Sequence, residues 1–285
     1  MSAQTSLKNV TRLLVTYNSA DILDYSVMAA HQIKTLAVDN ASSDNSVLTA
    51  RSLDYAVLPL EVNVGYANAI MAGLQEVETD FVLITNPDVQ ISINAIQSML
   101  AAAEKHSDCC LFVPRIFRPD GSEFFRHETR FDKRAKDRTA PQNDQEVNTV
   151  SGAVLLIRKS PFIRHGGFDT NIFLYFEDDE LSLRFRTMKQ PMRFVAAAEA
   201  KHIGDASSNE AVTINRIKDV SFGWSWGYLM KKMHLGNRWI TLLTIFAKLL
   251  TYSIAFRSNK IRRQLGILEG FVRNLVGQPA PFLRQ

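Results

Sequence analysis

The first 110 residues alternate short β-rich apolar runs with longer amphipathic stretches, and this alternation restricts the fold more than any other feature of the chain. Runs at 12–16, 35–39, 55–59 and 81–85 read as strands. Stretches at about 20–31, 44–53, 67–77 and 92–105 read as helices, each behind a capping residue such as Asn18 or Ser19, Ser43 or Asp44, and Ser92. Parallel strands need crossovers, and crossovers cover both faces of a sheet, so this order predicts an α/β fold with a mostly parallel central sheet flanked by helices. Beyond residue 110 the pattern loosens. Asp120-Gly121 reads as a hairpin turn, 126–148 as a polar, mobile surface segment, 149–157 as a strand, and a helix starts near Asp178.

The chain carries a net charge of +4 that conceals an asymmetry. Residues 1–214 hold 21 Lys and Arg against 27 Asp and Glu, whereas residues 215–285 hold 12 against 2. An acidic body with a basic tail predicts that the tail meets an anionic surface. Between Trp239 and Phe256 the residues Thr241, Thr244, Lys248 and Thr251 form one narrow polar stripe on an otherwise apolar helix. That stretch, about 18 residues, is marginal against the roughly 20 needed to span a bilayer. A second helix places Ile261, Leu265, Leu268, Val272 and Leu275 on one face, with Arg262, Arg263 and Arg273 elsewhere. Helices at 238–257 and 260–276 therefore read as membrane-surface elements, or as a lid on the body or a homodimer contact. Nucleic acid is a poor partner for cations interleaved with aliphatics rather than with an aromatic platform. The two cysteines, Cys109 and Cys110, are adjacent and give no disulfide framework, and the polar first nine residues carry no signal-peptide pattern. Both point to a reduced, cytoplasmic setting.

Loops at the carboxyl ends of parallel strands are where such sheets place their chemistry. The first is Val15-Thr16-Tyr17-Asn18-Ser19, the second Val38-Asp39-Asn40-Ala41-Ser42-Ser43-Asp44. Asp39 is a candidate acceptor for a base N–H or ribose hydroxyl, or an Asx-turn residue opening the next helix. The third, Asn63-Val64-Gly65-Tyr66-Ala67-Asn68-Ala69, is a glycine turn without the spacing of a dinucleotide site or a P-loop, which removes the main support for hydride transfer and P-loop hydrolysis. In the fourth, Asn86-Pro87-Asp88, two oxygen-bearing side chains suit a Mg²⁺ or Mn²⁺ carried by a diphosphate, or form a plain turn.

The strongest local feature is Glu177-Asp178-Asp179-Glu180 behind the aromatic run Phe173-Leu174-Tyr175-Phe176. Four crowded carboxylates need compensation from a helix N-terminus, a metal or sugar hydroxyls. Desolvation by the aromatics raises a carboxylate's pKa and makes it a better base. His202 is a metal ligand, a diphosphate contact or a structural histidine, and 204–208 reads as a loop able to close over a substrate.

Together these segments, with Pro114-Arg115-Ile116, 151–158, Gly166-Gly167-Phe168-Asp169 and the stretch opening on His202, resemble the family 2 glycosyltransferases of the GT-A fold, particularly their bacterial rhamnosyltransferase-like branch. The resemblance covers about residues 10–210. It implies a catalytic domain at 1–215, with a nucleotide-sugar half to about 110 and an acceptor half beyond, followed by a helical tail at 216–285. It implies an inverting transfer from a nucleotide-diphosphate sugar, with dTDP-rhamnose the expected donor and a glycan or lipid-linked acceptor, at the inner face of the cell membrane. Thr16, Tyr17, Asn18, Asp39, Asn63, Gly65, Asn68, Asn86 and Asp88 would face the donor. Asn86 and Asp88 fill the place of the family's metal-binding Asp-x-Asp, with His202 as a further ligand. Gly152, Arg158, Phe168, Asp169 and His202 would face the acceptor or the diphosphate. Asp178 would be the base, with Asp179 one place along as the alternative and Glu177 beside them. Two departures stand out: Asn86 replaces the motif's first Asp, and the run reads Glu-Asp-Asp-Glu where the branch more often has Glu-Asp-x-Asp. Other readings are a UDP- or GDP-sugar donor, or a non-catalytic GT-A-like binding module. Nucleotidyl transfer needs a basic residue in the loop after the first strand, and residues 16–21 have none.

Overall fold

A computed structural model of the chain describes residues 6–26, 33–131, 139–203 and 212–282. In chain order its strands are β1 (Val10–Thr16), β2 (Lys34–Asp39), β3 (Ala56–Pro59), β4 (Phe81–Thr85), β5 (Val89–Ile91), β6 (Leu111–Phe117), β7 (Glu123–Phe124), β8 (Gln145–Glu146), β9 (Val154–Arg158) and β10 (Met192–His202). The helices are α1 (Ser46–Ser52), α2 (Tyr66–Glu76), α3 (Ile93–Lys105), α4 (Lys159–Arg164), α5 (Glu177–Thr187), α6 (Val212–Lys232), α7 (Arg238–Ile254) and α8 (Ser258–Leu275). The sheet runs β3-β2-β1-β4-β9-β6-β10-β5. β3, β2, β1 and β4 pair in parallel, as do β6 and β10, whereas β9 is antiparallel to both β4 and β6. The sheet is therefore mostly parallel, with β9 and β5 running against it.

Strand alternation sends Val82 and Ile84 of β4 to the face covered by α2 and α5, and Phe81 and Leu83 to the face covered by α3. The first face also buries Leu181 and Phe185 of α5 completely, which anchors the helix that carries the acidic run. Ser92 caps α3 by accepting from Ala95 N at 3.1 Å. At Asp120-Gly121 the chain turns β6 back onto β7, with Gly121 at φ +79°.

Three expectations change. The stretch expected to be helical at 20–31 forms a 3-10 turn, Leu23–Ser26, with 27–32 outside the described residues. Its leading N–H groups are captured from the side, Ser19 N by Ser46 Oγ at 2.7 Å and Ala20 N by Asp44 Oδ2 at 3.0 Å. The strand expected from 149 begins only at Val154, because Val150 N is tied to Ser182 Oγ and Gly152 O to the Tyr66 hydroxyl. The segment 126–148 is no loose surface piece where it is described. Thr129 and Val147 are buried, and Arg126 reaches inward to α5. α6 runs across the expected 215/216 boundary, and its Lys232 and Tyr228 both bond Asp169 of the body, at 2.7 and 2.9 Å.

β10 carries an irregularity that matters later. Val195 pairs with Pro114 but the next partner of Arg115 is Glu199, so Ala196, Ala197 and Ala198 bulge out of the ladder. The bent strand then swings onto β5, setting His202 opposite Val89. At the other end of the chain, α6 and α8 meet backbone to backbone. A Cβ on Gly270 would lie 1.9 Å from Val220 O, and one on Gly223 would lie 2.0 Å from Ile267 O, so only glycine permits this approach. α7 lies outside this pair with Trp239, Ile240, Leu243, Phe246, Leu250 and Ile254 exposed. No described helix is long and apolar enough to cross a membrane.

Candidate active site

The carboxyl ends of β1 and β2 lie side by side, with Thr16 paired to Asp39 in the parallel register. Thr16 Oγ1 donates to Asp39 Oδ1 at 2.9 Å, and Asp39 Oδ2 accepts from Ser42 N at 3.0 Å. Both residues are buried, so Asp39 is an Asx-turn residue held ready at the floor of the crevice. Asn18, at φ +50°, accepts from Ser43 N at 2.8 Å and so clips the two loops together, while Tyr17 stands exposed beside it. Asn63 Oδ1 receives both Asn40 Nδ2 (3.0 Å) and Gly65 N (2.9 Å). Gly65 is at φ +84°, and a Cβ there would fall 2.1 Å from Phe173 O. This glycine lets the first turn of α2 seat against the aromatic loop, where Tyr66 N donates to Phe173 O at 3.0 Å. Asn68 donates to Thr170 O at 2.9 Å, pinning the same loop from the exposed side.

Above this floor, Tyr66 is a junction. Its hydroxyl lies 3.1 Å from Asn86 Oδ1 and 2.9 Å from Gly152 O. Burial drives its pKa far above the ordinary phenol value, and the charges of Glu177, Asp178 and Asp88 push it further. The end of β4, the β9 turn and the start of α5 thus converge on one phenol. Asp88 Oδ2 sits 3.1 Å from His202 Nε2, a contact made by the bend in β10. One carboxylate, one imidazole and one amide oxygen gather here, and no group of three or more His, Cys, Asp and Glu able to hold a metal occurs among the described residues. This donor set fits a hard divalent cation that brings most of its oxygen ligands with a diphosphate.

The acidic run opens α5. Tyr175 and Phe176, both at φ +67°, reverse the chain so that Glu177, Asp178 and Asp179 crowd the helix's positive end. The compensation is cationic and comes both from distant segments and from α5 itself. Arg126 Nη1 bonds Asp178 Oδ2 and its Nη2 bonds Asp179 Oδ1. Glu180, fully buried, pairs with Arg184 at 2.8 Å and Lys232 at 2.6 Å. Burial pushes the Asp179 carboxyl up to about 6 against the pull of Arg126. Burial pushes Glu177 further, to about 8, with the Asp178 charge adding to it. Glu177 Oε2 has no hydrogen-bond partner among the described residues. Gly152 faces this cluster: a Cβ on it would lie 3.9 Å from Asp178 Cβ and 3.8 Å from the Tyr66 ring.

Three sequence-derived positions lie away from this crevice. Phe168 is 1% exposed and packs on Phe162 in the core, so it has no face for a substrate. Arg158 stands opposite Phe81, at the start of β4, while Val154 stands opposite Thr85 at its end. It is thus about 20 Å along the strand from Gly152, at a rise of roughly 3.3 Å per residue, and it bonds Ala103 O at 2.7 Å. Asp169 is buried under Lys232 and Tyr228, where it fastens α6. The loop at 204–208 lies outside the described residues. Conversely, Arg126, Tyr66, Asn40 and Arg130 emerge as site residues that the sequence did not single out. Tyr66 lay inside a quoted motif, but a lone Arg126 in a polar stretch carries no local signal.

A family model described as Glycosyl transferase family 2 matches residues 13–166. The chain is 27% identical over 226 residues to N-acetylglucosaminyl-diphospho-decaprenol L-rhamnosyltransferase of Mycobacterium tuberculosis, covering 66% of this chain and 74% of that protein. Mannosyltransferase PcManGT of Pyrobaculum calidifontis, solved with GDP-Man and Mn²⁺, superposes with a TM-score of 0.51 at 14% identity, over 94% of this chain and 87% of that one. GalNAc-T7, solved with UDP, GalNAc and Mn²⁺, gives a TM-score of 0.54 at 14% identity over 79% of this chain, which spans 50% of that longer one. Both structural likenesses are of fold, the GT-A arrangement of a helix-flanked, mostly parallel sheet.

Proposed function

This chain belongs to glycosyl transferase family 2, and we propose that it transfers L-rhamnose from dTDP-rhamnose, with inversion, to a hydroxyl of a lipid-linked acceptor in bacterial surface-glycan synthesis. The observation that carries the reading is the convergence of Asp178, Gly152, Asn86 and Asp88 around the Tyr66 hydroxyl. A general base and a diphosphate-binding pair then face one space from two sides. The named rhamnosyltransferase relative and its diphospho-decaprenol substrate support the donor and acceptor classes. The exposed apolar face of α7, flanked by cations, supports a helical tail at about 216–285 that rests on the inner membrane surface beside a catalytic body at 1–215.

In this reading Thr16, Asn18 and Asp39 form the nucleoside floor. Asp178 accepts the acceptor hydroxyl's proton as its oxygen attacks the anomeric carbon from the face opposite the leaving diphosphate. One base suffices for inversion, and no covalent intermediate forms. Asp178 is better placed than Asp179, with 21% of its side chain exposed against 6%. Arg126 orients Asp178 before the acceptor arrives. Asp88, Asn86 and His202 would hold a Mg²⁺ or Mn²⁺, whose chemistry is to neutralise charge on the departing diphosphate.

The test is the melting temperature of the protein with dTDP, UDP or GDP, each with Mn²⁺, with Mg²⁺ and with EDTA. A ligand at 100 times its Kd adds about 2.7 kcal/mol to folding. A metal-dependent rise with dTDP is expected; a rise confined to UDP or GDP reassigns the donor, and none with any nucleotide sinks the donor site.

A further inference from the structure

A cavity of about 290 Å³ opens between α6, α7 and α8, lined among others by Arg130, Lys248, Lys260, Arg263, Trp226 and Tyr252. We infer that it seats the diphosphate head group of the lipid-linked acceptor, an inference that rests on the transferase reading above and names where that substrate is held.

Charge is the first reason. Four cations line the cavity, and the carboxylate beside them is Asp219, 3.7 Å from Arg263 Nε. Lys248 and Lys260 form no ion pair among the described residues, and Lys260 lies over the Tyr252 ring at 5.5 Å. The Arg130 guanidinium is stacked 4.2 Å from the Trp226 ring centre, and desolvation lowers its pKa, the Asp179 charge opposing that fall and the Arg263 charge adding to it. Cations gathered in one hollow call for a polyvalent anion, and phosphate oxygens match arginine forks and lysine points alike. The volume, at the lower edge of ordinary ligand pockets, holds a head group rather than a chain.

Position is the second reason. Arg130 joins the cavity to the catalytic cluster, because its guanidinium also lies 6.0 Å from the ring of Phe176, the residue before Glu177, and its backbone N–H donates to the Asp179 carboxylate. An acceptor whose diphosphate sits at Arg130 has its sugar directed toward Asp178. The lipid is the third reason. The outer face of α7, with Trp239, Ile240, Leu243 and Phe246 exposed, adjoins the same cavity through Thr244 and Lys248. A free diphosphate would use the cations but leave this face without purpose.

The experiment measures binding of the full chain to phosphatidylcholine vesicles carrying farnesyl diphosphate, and to vesicles of equal surface charge carrying phosphatidylglycerol, with inorganic pyrophosphate as competitor. Wild type is expected to prefer the diphosphate vesicles, and soluble pyrophosphate to compete only weakly. The double variant Lys248→Gln/Lys260→Gln should lose about tenfold more affinity for the diphosphate vesicles than for the phosphatidylglycerol ones, whereas Lys248→Arg/Lys260→Arg keeps the preference. Both pairs are solvent-facing, and an unchanged melting temperature verifies their folding. Equal losses on both vesicles, no loss, or no wild-type preference each overturn the assignment, and full competition by pyrophosphate assigns the cavity to the free anion instead. The nucleotide-dependent melting shift, read on the same samples, reports the donor site separately: its absence in wild type strikes the transferase reading, its persistence in the Gln pair confines any failure to the cavity.

Discussion

Arg126 holds Asp178 and Asp179 at once, one guanidinium nitrogen to each carboxylate, from a segment some fifty residues earlier in the chain. Neighbouring residues on a helix point in different directions, so one side chain bridging both fixes the first turn of α5 in register with 126–131. Arg126→Met leaves two partly buried carboxylates without their cation. About 2 kcal/mol of stability should be lost, below the usual cost of breaking a buried pair because 20% of the Arg126 side chain is exposed. Transfer, followed as nucleoside diphosphate released, should slow about tenfold as the carboxylate loses its fixed orientation. An unchanged rate would remove Arg126 from the positioning of Asp178.

Asp178→Asn should lower transfer by about 10²- to 10⁴-fold, the range for loss of a general base. Donor affinity should stay within about twofold of wild type, since removing a group that acts on the acceptor's proton leaves ground-state binding alone. Asp179→Asn should cost less activity and more stability, because its carboxylate is 6% exposed and is held by Arg126. The reverse ranking, by titration calorimetry and initial rates, would transfer the base role to Asp179.

Glu177 is raised from 4.5 to about 8 by burial and by Asp178. Between those values the folded protein keeps a proton that the unfolded chain releases, so this residue's contribution lowers stability as pH rises from about 4.5 to about 8. Glu177→Gln should remove that part of the pH dependence and melt higher than wild type at pH 8, by roughly 2–4 °C for each kcal/mol recovered. Parallel melting curves against pH for the two proteins would contradict a neutral Glu177 carboxyl.

Two glycines of the site should respond oppositely to alanine. Gly65→Ala drives a Cβ to 2.1 Å from Phe173 O at a left-handed φ, and should cost about 2 kcal/mol or more. Gly152→Ala meets only ordinary contacts, 3.8 Å from Tyr66 and 3.9 Å from Asp178. Its melting temperature should hardly change, while the added methyl stands between those groups and slows transfer about tenfold. Chemical denaturation and rate assays on both variants separate the two roles, and an active, stable Gly65→Ala protein would refute the close approach.

The parallel half of the fold is legible because β1 and β4 are buried on both faces and so centre on the apolar runs Leu13-Leu14-Val15 and 81–84. Ser92 and Asp120-Gly121 declare their cap and turn through chemistry confined to a few residues. The site is harder to read wherever distant segments meet. His202 reaches Asp88 only because three alanines leave the β10 ladder, a bulge that alanine spelling does not announce. Arg158 shares a motif with Gly152 yet ends at the far edge, since an extended strand separates what the sequence places together. Phe168 looks like a pocket wall but Phe162, itself packed on Phe185, draws it into the core. Arg126 and Arg130 were hidden by composition, because a charged, polar stretch reads as solvated until its partners are known.

Lys232 neutralises Asp169 and Glu180, two buried carboxylates made more than fifty residues before it. Synthesis proceeds from the N-terminus, so on the ribosome the sheet and α5 emerge while both charges still lack this cation. The body can collapse early, but its acidic pocket closes only when α6 has been completed and has docked. Folding thus ends, rather than begins, at the seam between the sheet and the helices, and a chain halted before Lys232 exposes its defect there to cellular proteases.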